Sequence, residues 1–403
     1  MEKGSSLRSQ SARDSFIVAL LLALSFSVIA VSLGRSFFAR GVDEGYYLRY
    51  ASYINAKGFL GCRDLFSSYL NRPQDWVFPN PLRIGYIFIA AFFVKIFGSS
   101  FFSLVYLSVI SFYVFLCFAF RFLKKHFSRD VALLTVALLA FSPLNMAMAR
   151  RALTDALANL CTVSAVFLYF EVLREKRPYK TILFIFVYTL AILVKENTVL
   201  LSVFFLLYLL IRRVLFDKPV TINDVLSATV FPFLFVCITY LVCAGGIKPV
   251  TDTVKIIIAS PENNRYAILF GSGPWFRYLI DFIMLSPIVS LLAIGYCGHL
   301  LFGAKPREET AYFLALSLTM VFLFSFFTKN VRYLIFLELP LCLFAASALY
   351  EFTRHFKRRA FILTVVVLFL MFYEYQSFFR LFLEGGIYDP VSFLILRSKG
   401  IIP

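Results

Sequence analysis

Long apolar runs alternate with short polar segments along almost the whole chain. A straight transmembrane helix needs about 20 predominantly apolar residues. The pattern therefore predicts an all-α polytopic membrane protein with about eleven transmembrane helices. The predicted spans lie at about 16–33, 101–120, 131–148, 156–170, 181–194, 198–211, 225–241, 278–301, 311–327, 333–349 and 360–372.

The run 84–97 is shorter and is bracketed by Arg83 and Lys95. If it crossed the membrane, the cluster Lys124-Lys125 would fall outside the cell, against the usual bias of basic residues toward the cytoplasm. We therefore expect an interfacial helix here.

With the N-terminus inside, the short basic loops all fall on the cytoplasmic side. The chain is then organised as a cytoplasmic N-terminus over 1–15, a transmembrane domain over 16–376 and an extracytoplasmic tail over 377–403. The segment 35–97 becomes a long outer loop with juxtamembrane helices.

Composition supports membrane insertion and excludes a soluble domain. Of 403 residues, 60% are hydrophobic and only 16% are charged. The net charge of +17 does not indicate nucleic-acid binding, because the basic residues occur as short clusters between apolar runs. The seven cysteines include no C-x-x-C pair, so no disulfide framework is implied.

Adjacent carboxylates follow the first apolar run, at Asp43 and Glu44. A pair of acids at a membrane surface is costly unless water, a metal ion or a cationic substrate group shares the site, so both are candidate catalytic residues. The structural alternative is that Asp43 caps a helix whose tyrosines lie along the lipid headgroups.

A second polar cluster, Arg150 to Asp155, carries two arginines on the outer face, where positive charge is normally scarce. Guanidinium groups match phosphate oxygens bidentately, which favours a phosphate ligand for Arg150 and Arg151. Equally open is a structural interpretation: Thr154 caps the next helix, Asp155 complements its dipole and the arginines reach lipid phosphates.

Two further basic groups belong to the same face. Lys195 precedes Glu196 in a turn between two short apolar runs, and a self-satisfied ion pair in a tight helix–helix turn is favoured there. The alternative is a cation that faces a protein cavity, which a recessed turn would require. Arg332 opens a later helix, where backbone N–H groups already attract anions, so phosphate binding is favoured over an interfacial anchor.

The carboxylate oxygens on the outer face determine which metal ions could bind there. If a metal ion binds, Asp43 and Asp155 would hold Mg²⁺ or Mn²⁺, partly through substrate phosphate. The three histidines map to or near the cytoplasmic side, which disfavours an outer zinc site. No P-loop or dinucleotide motif supports nucleotide-driven chemistry.

Carboxylates and arginines at the mouth of a helical bundle suit a substrate with a lipid tail, a phosphate and a transferable group. A polyprenyl-phosphate sugar has all three. Basic residues would stabilise the phosphate as a leaving group, and a carboxylate would take the proton of an acceptor hydroxyl.

The order of the motifs resembles the GT-C superfamily of membrane glycosyltransferases, in particular the protein O-mannosyltransferases and lipid A aminoarabinose transferases. The resemblance covers most of 15–350 and rests on motifs in their order: Asp43-Glu44, Phe78-Pro79-Asn80-Pro81-Leu82, Ser142-Pro143, Thr154-Asp155, Lys195-Glu196, Arg332-Tyr333 and Pro340.

This resemblance implies an inverting transfer from a polyprenyl-phosphate sugar to a lipid, glycan or protein acceptor at the extracytoplasmic face. It gives Asp43 the role of base or metal ligand, makes Asp155 the second acid and Arg332 a phosphate contact. The predicted phosphate-binding set as a whole is Arg83, Arg150, Arg151, Lys195 and Arg332. The membrane is the cytoplasmic one if the host is prokaryotic.

Two other functions fit the same residues. A transporter of lipid-linked glycans would also use a basic cavity, although polar groups confined to one face favour chemistry. A non-catalytic subunit of an envelope-assembly complex would not require Asp43.

Overall fold

The computed structural model describes residues 2–35, 42–263, 265–303 and 306–385, together with residues 391, 394, 397 and 398. All regular secondary structure in these ranges is helical. Most of the predicted tail 377–403 lies outside the described residues.

The helices follow the apolar runs closely. They are α1 Glu2–Arg35, α2 Val42–Lys57, α3 Gly61–Leu70, α4 Ile84–Phe97, α5 Phe101–His126, α6 Arg129–Phe141, α7 Pro143–Ala149, α8 Asp155–Glu175, α9 Pro178–Val194, α10 Leu201–Phe216, α11 Ile222–Ala228, α12 Val230–Ala244, α13 Ile247–Asn263, α14 Arg265–Phe270, α15 Arg277–Leu285, α16 Pro287–Phe302, α17 Glu308–Phe324, α18 Glu338–Thr353 and α19 Arg359–Phe378. Short 3₁₀ segments include Glu196–Leu200 before α10 and Val331–Leu337 before α18.

An all-α multi-pass membrane protein is confirmed, but the predicted number of spans is not shown. Seven helical stretches in the described residues are long and apolar enough to cross a membrane, or eight if the bent pair α6–α7 counts as one. The predicted spans 181–194, 278–301 and 311–327 correspond to shorter helices that are not among these stretches. The second is interrupted at Ser286, before Pro287, where proline has no N–H to continue the helix.

The bend between α6 and α7 measures 58° and has a local cause. Pro143 occupies the first turn of α7, where its missing N–H costs nothing, and Ser142 caps that turn by accepting from the Asn145 N–H. The Ser142 hydroxyl also donates to buried Glu338 at 2.8 Å. The break thus places a polar contact inside the bundle.

The basic clusters predicted to be cytoplasmic come together at one end of the bundle. Asp14 of α1 accepts from Lys124 at 2.7 Å and also from Arg129. Glu171 of α8 pairs with Lys125 at 2.7 Å and with Lys180. Because these contacts join residues from separate predicted loops, those loops share one face, whose orientation in the membrane stays a prediction.

Helices α4 and α9 cross at Gly85. A Cβ added there would lie 2.9 Å from Leu193 Cβ and 3.0 Å from the Leu193 carbonyl carbon. Small residues permit such close approach of membrane helices. Because α9 ends at Val194, this crossing also fixes the turn that carries Lys195.

We expect Gly85→Ala to destabilise the protein by about 1–3 kcal/mol through overpacking. Gly295→Ala is the matched control, because Gly295 is also helical and has open space around it. Alanine is the better helix former, so the control should be neutral or stabilising. Thermal unfolding in detergent measures both; an unchanged midpoint in Gly85→Ala would contradict the close crossing.

Candidate functional site

A cavity of about 520 Å³ opens at the end of the bundle opposite the basic clusters. Its wall is built from α2, the segment 69–83, the start of α8, the turn after α9, parts of α13 and α14, and the segment 328–333. Six charged side chains line it: Asp43, Asp155, Glu196, Arg83, Lys195 and Arg332.

Asp155 binds two cations from different parts of the chain. Its carboxylate accepts from Lys195 at 2.7 Å and lies 3.6 Å from an Arg332 nitrogen. Asp155 and Lys195 are both buried, whereas the side chain of Arg332 keeps 14% of its exposure. The three residues join the start of α8, the end of α9 and the 3₁₀ segment 331–337 into one cationic patch.

Lys195 is held from three sides. Besides Asp155, its ammonium donates to the Arg332 carbonyl at 3.3 Å and lies 5.1 Å from the Tyr333 ring centroid. Burial lowers the pKa of Lys195, while Asp155 opposes that effect by stabilising the charged form. A second anion in the cavity would strengthen the charged form further.

Arg83 and Glu196 form a second ion pair in the wall, and both side chains are partly exposed. The guanidinium donates to both Glu196 oxygens, at 2.9 and 3.0 Å, and also to the Tyr47 hydroxyl. Asn80 donates to Glu196 at 3.1 Å. These hydrogen bonds fix the orientation of the Arg83 guanidinium, and the bidentate pair balances its charge. The predicted phosphate role of Arg83 is therefore shared with a structural one.

Asp43 stands in the first turn of α2 and is half-buried at the cavity. Of the three acids in the lining, Asp155 and Glu196 are paired with cations. Among the described residues, the structure gives Asp43 no ion pair and no hydrogen bond. Its carboxylate is therefore available to a substrate.

Glu44, Arg150 and Arg151 do not line the cavity. Buried Glu44 accepts from Arg151 at 2.6 Å and from the Ala152 N–H at 3.1 Å. Arg150 donates to the Ser32 carbonyl at 2.8 Å. Their positions thus give no support to the predicted catalytic role of Glu44 or to phosphate contacts by the two arginines. Instead they fasten α2 and α1 to the junction before Asp155.

Sequence reasoning missed the aromatic part of the wall, which consists of Tyr47, Tyr69, Trp76, Phe78 and Tyr333. Hydrogen bonds hold it in place: Trp76 donates to the Tyr69 carbonyl at 3.0 Å and Tyr69 donates to the Trp76 carbonyl at 3.2 Å. Burial raises the pKa of Tyr47, so its phenol stays protonated. The tyrosine run after Glu44 was the available signal, but it equally predicted a headgroup-facing helix.

The acidic lining does not match a metal site well. The described residues contain no group of three His, Cys, Asp or Glu side chains arranged to hold a metal ion. Asp155 already pairs with two cations and Glu196 pairs with Arg83. Of the acids in the described lining, this leaves Asp43 to coordinate a metal ion. The predicted Mg²⁺ or Mn²⁺ site at Asp43 and Asp155 stays a prediction, and no chemical step below depends on it.

Residues 81–241 match the family model described as dolichyl-phosphate-mannose-protein mannosyltransferase. This segment contains Arg83, Asp155, Lys195 and Glu196 of the cavity. A comparison with curated proteins gives no significant match.

Solved structures share the fold. The apo oligosaccharyltransferase of Archaeoglobus fulgidus matches with a TM-score of 0.61 and 10% identity, covering 91% of this chain and 55% of that one. ArnT from Cupriavidus metallidurans, bound to undecaprenyl phosphate, matches with a TM-score of 0.57 and 16% identity, covering 87% of this chain and 63% of that one. A second structure of the archaeal enzyme, with an inhibitory peptide and a dolichol-phosphate, has a TM-score of 0.56 and 11% identity, covering 90% and 55%.

This chain spans 55% of the archaeal enzyme and 63% of ArnT, so these matches establish a common fold and no more. The family match is the more specific finding, because it falls on the segment that carries most of the charged lining. Residues 81–241 therefore resemble the dolichyl-phosphate-mannose-protein mannosyltransferase family, in agreement with the resemblance that the sequence motifs predicted.

Proposed function

We propose that this protein transfers a sugar, with inversion, from a polyprenyl-phosphate donor to an acceptor hydroxyl at the extracytoplasmic face of the membrane. The observation that carries the proposal is the cavity itself, which combines one unpaired carboxylate with a buried cationic patch. The family match over residues 81–241 supports a donor of this class.

The cationic patch of Lys195 and Arg332 is the proposed phosphate site. A phosphodiester there would receive charge-assisted hydrogen bonds that strengthen as negative charge develops on the leaving oxygen. Asp155 holds both cations in place before the donor arrives, so little reorganisation is needed during the reaction. Arg83, locked by Glu196, adds positive potential from the adjacent wall.

Asp43 is the proposed general base. As the acceptor oxygen attacks the anomeric carbon, the bond from that carbon to the phosphate oxygen breaks, and the acceptor proton passes to the Asp43 carboxylate. The phosphate leaves with the bonding electron pair. Attack opposite to the leaving group inverts the anomeric centre, in agreement with a base and a cationic patch contributed by different helices.

The acceptor class stays broad. A lipid, a glycan or a protein hydroxyl each satisfies the chemistry, and the aromatic wall of Tyr47, Trp76 and Phe78 offers flat apolar surfaces for a sugar ring. Predicted spans that are formed by shorter helices, such as α9 and α16, would cross where the bilayer thins locally, or would cross it incompletely.

We expect Asp43→Asn to lower transfer by at least about 100-fold while the donor still binds, because only the proton acceptor is lost. Release of radiolabelled sugar from a panel of polyprenyl-phosphate monosaccharides, in nanodiscs, measures the rate. Asp64→Asn is the control, since Asp64 is exposed and pairs with Tyr53 outside the cavity. Full activity in Asp43→Asn would remove Asp43 from the chemistry.

Loss of a cation should weaken donor binding instead. Each charge-assisted hydrogen bond contributes roughly 1.5–3 kcal/mol, so Arg332→Gln should raise the Kd for undecaprenyl phosphate by about 10- to 150-fold. Arg72→Gln removes an exposed charge that does not line the cavity and should change little. Equal effects of the two variants in a binding titration would argue against a local phosphate site.

Transfer should also persist in EDTA, because the described lining lacks a group of acids that could hold a metal ion. The test is the same sugar-release assay before and after chelation. Activity lost in EDTA and restored by Mg²⁺ or Mn²⁺ would show that Asp43 acts through a metal.

A further inference from the structure

Two cysteines from distant parts of the chain meet where α3 packs against α12. Cys62 lies in α3 and Cys243 lies near the end of α12, and their side chains interact directly. Their relative exposures are 0% and 1%, so the pair is sealed from solvent. Both residues are free thiols in this structure.

The residues next to the two cysteines are also in close contact. Gly245 ends α12 with a φ of +77°, and a Cβ added there would lie 3.0 Å from the Arg63 Nε. Glycine is thus required both for the left-handed turn and for the approach of Arg63. The side chain of Arg63, next to Cys62, therefore lies against the backbone at Gly245, two residues after Cys243.

These two cysteines stand where two walls of the cavity begin. The chain after Cys62 supplies Tyr69, Asn80 and Arg83, and the chain after Cys243 supplies Ile257 and Ser260. The walls meet again at the other end, where the Ser260 hydroxyl donates to the Trp76 carbonyl at 3.4 Å. A covalent link at 62 and 243 would fix the separation of the walls at their base.

We propose that Cys62 and Cys243 form a disulfide that ties α3 to the end of α12 and fixes the separation of the two cavity walls at their base. The proposal rests on the orientation proposed above, which places both cysteines at the oxidising extracytoplasmic face, where disulfides form and persist. The remaining cysteines, Cys117, Cys161, Cys237, Cys297 and Cys342, stay reduced, and among them Cys161 and Cys342 are buried inside the bundle.

The chemistry is thiol–disulfide exchange with an external disulfide, such as that of an oxidoreductase. The thiolate of one cysteine attacks that disulfide and forms a mixed disulfide, and the second cysteine then displaces the external thiol. Two protein thiols become one disulfide, and the external disulfide becomes two thiols. The exchange takes place before α3 packs on α12, since burial afterwards shields the bond from oxidant and reductant alike.

Mass spectrometry after alkylation tests the bond directly. Cells are lysed in SDS containing N-ethylmaleimide, so that buried thiols are alkylated too, and the full-length protein is purified and digested without reductant. We expect a cross-linked peptide pair containing Cys62 and Cys243, two hydrogens lighter than the separate thiol peptides and lost on reduction. Recovery of both cysteines as their maleimide adducts would overturn the proposal.

A stability measurement gives an independent readout. The wild-type protein can be reduced in a low concentration of denaturant, or both cysteines can be replaced in the double variant Cys62→Ser and Cys243→Ser. Either change should lower the thermal midpoint by several degrees, because the long loop between the cysteines is no longer closed. Cys237→Ser is the control, since Cys237 lies in the same helix and is exposed. A double variant as stable as the control, with no cross-linked peptide in wild type, would count against any link.

The outcome is separable from the proposed function. Sugar transfer by a preparation in which Cys62 and Cys243 are both found as free thiols would contradict the disulfide and leave the proposed function intact. A protein that contains the cross-link but turns over no donor would support the disulfide and contradict the proposed sugar transfer.

Discussion

The architecture of the cavity depends on one constraint, which is that charge inside an apolar bundle must be paired. Asp155 satisfies this for Lys195 and Arg332, and Glu196 satisfies it for Arg83. Each pair joins segments that are far apart in the chain. Removal of Asp155 or Glu196 would leave an uncompensated positive charge among apolar helices. The contacts that stabilise the fold here therefore also set the electrostatic potential of the cavity.

Pairing also explains why one acid differs from its neighbours. Glu44 is buried and accepts hydrogen bonds from Arg151 and from the Ala152 N–H, and these bonds anchor α2. Asp43, one residue earlier, lines the cavity instead. Successive residues on a helix lie about 100° apart, so an adjacent Asp-Glu pair divides into one structural and one available carboxylate.

The opposite end of the bundle follows the same rule. Asp14 and Glu171 gather lysines and arginines from several loops into networks at the protein surface. The cavity end differs in having an aromatic wall and the unpaired carboxylate of Asp43. The segments that follow Cys62 and Cys243 also contribute residues to its lining. The two ends therefore have different properties: one is a closed charge network and the other an open, partly apolar pocket.

The sequence by itself determined the helical membrane fold, the resemblance to GT-C enzymes and most of the charged lining, since apolar runs and rare intramembrane charges are visible in one dimension. For the Lys195 turn it left a self-contained ion pair and a cavity-facing cation open, and the structure pairs Lys195 with Asp155 in the cavity wall. Only the tertiary structure decided that Glu44, Arg150 and Arg151 lie away from the cavity, that Asp155 joins two cations, and that Cys62 meets Cys243. The reason is that composition and spacing fix which residues must be buried or paired, whereas the choice of partner depends on which helices pack together.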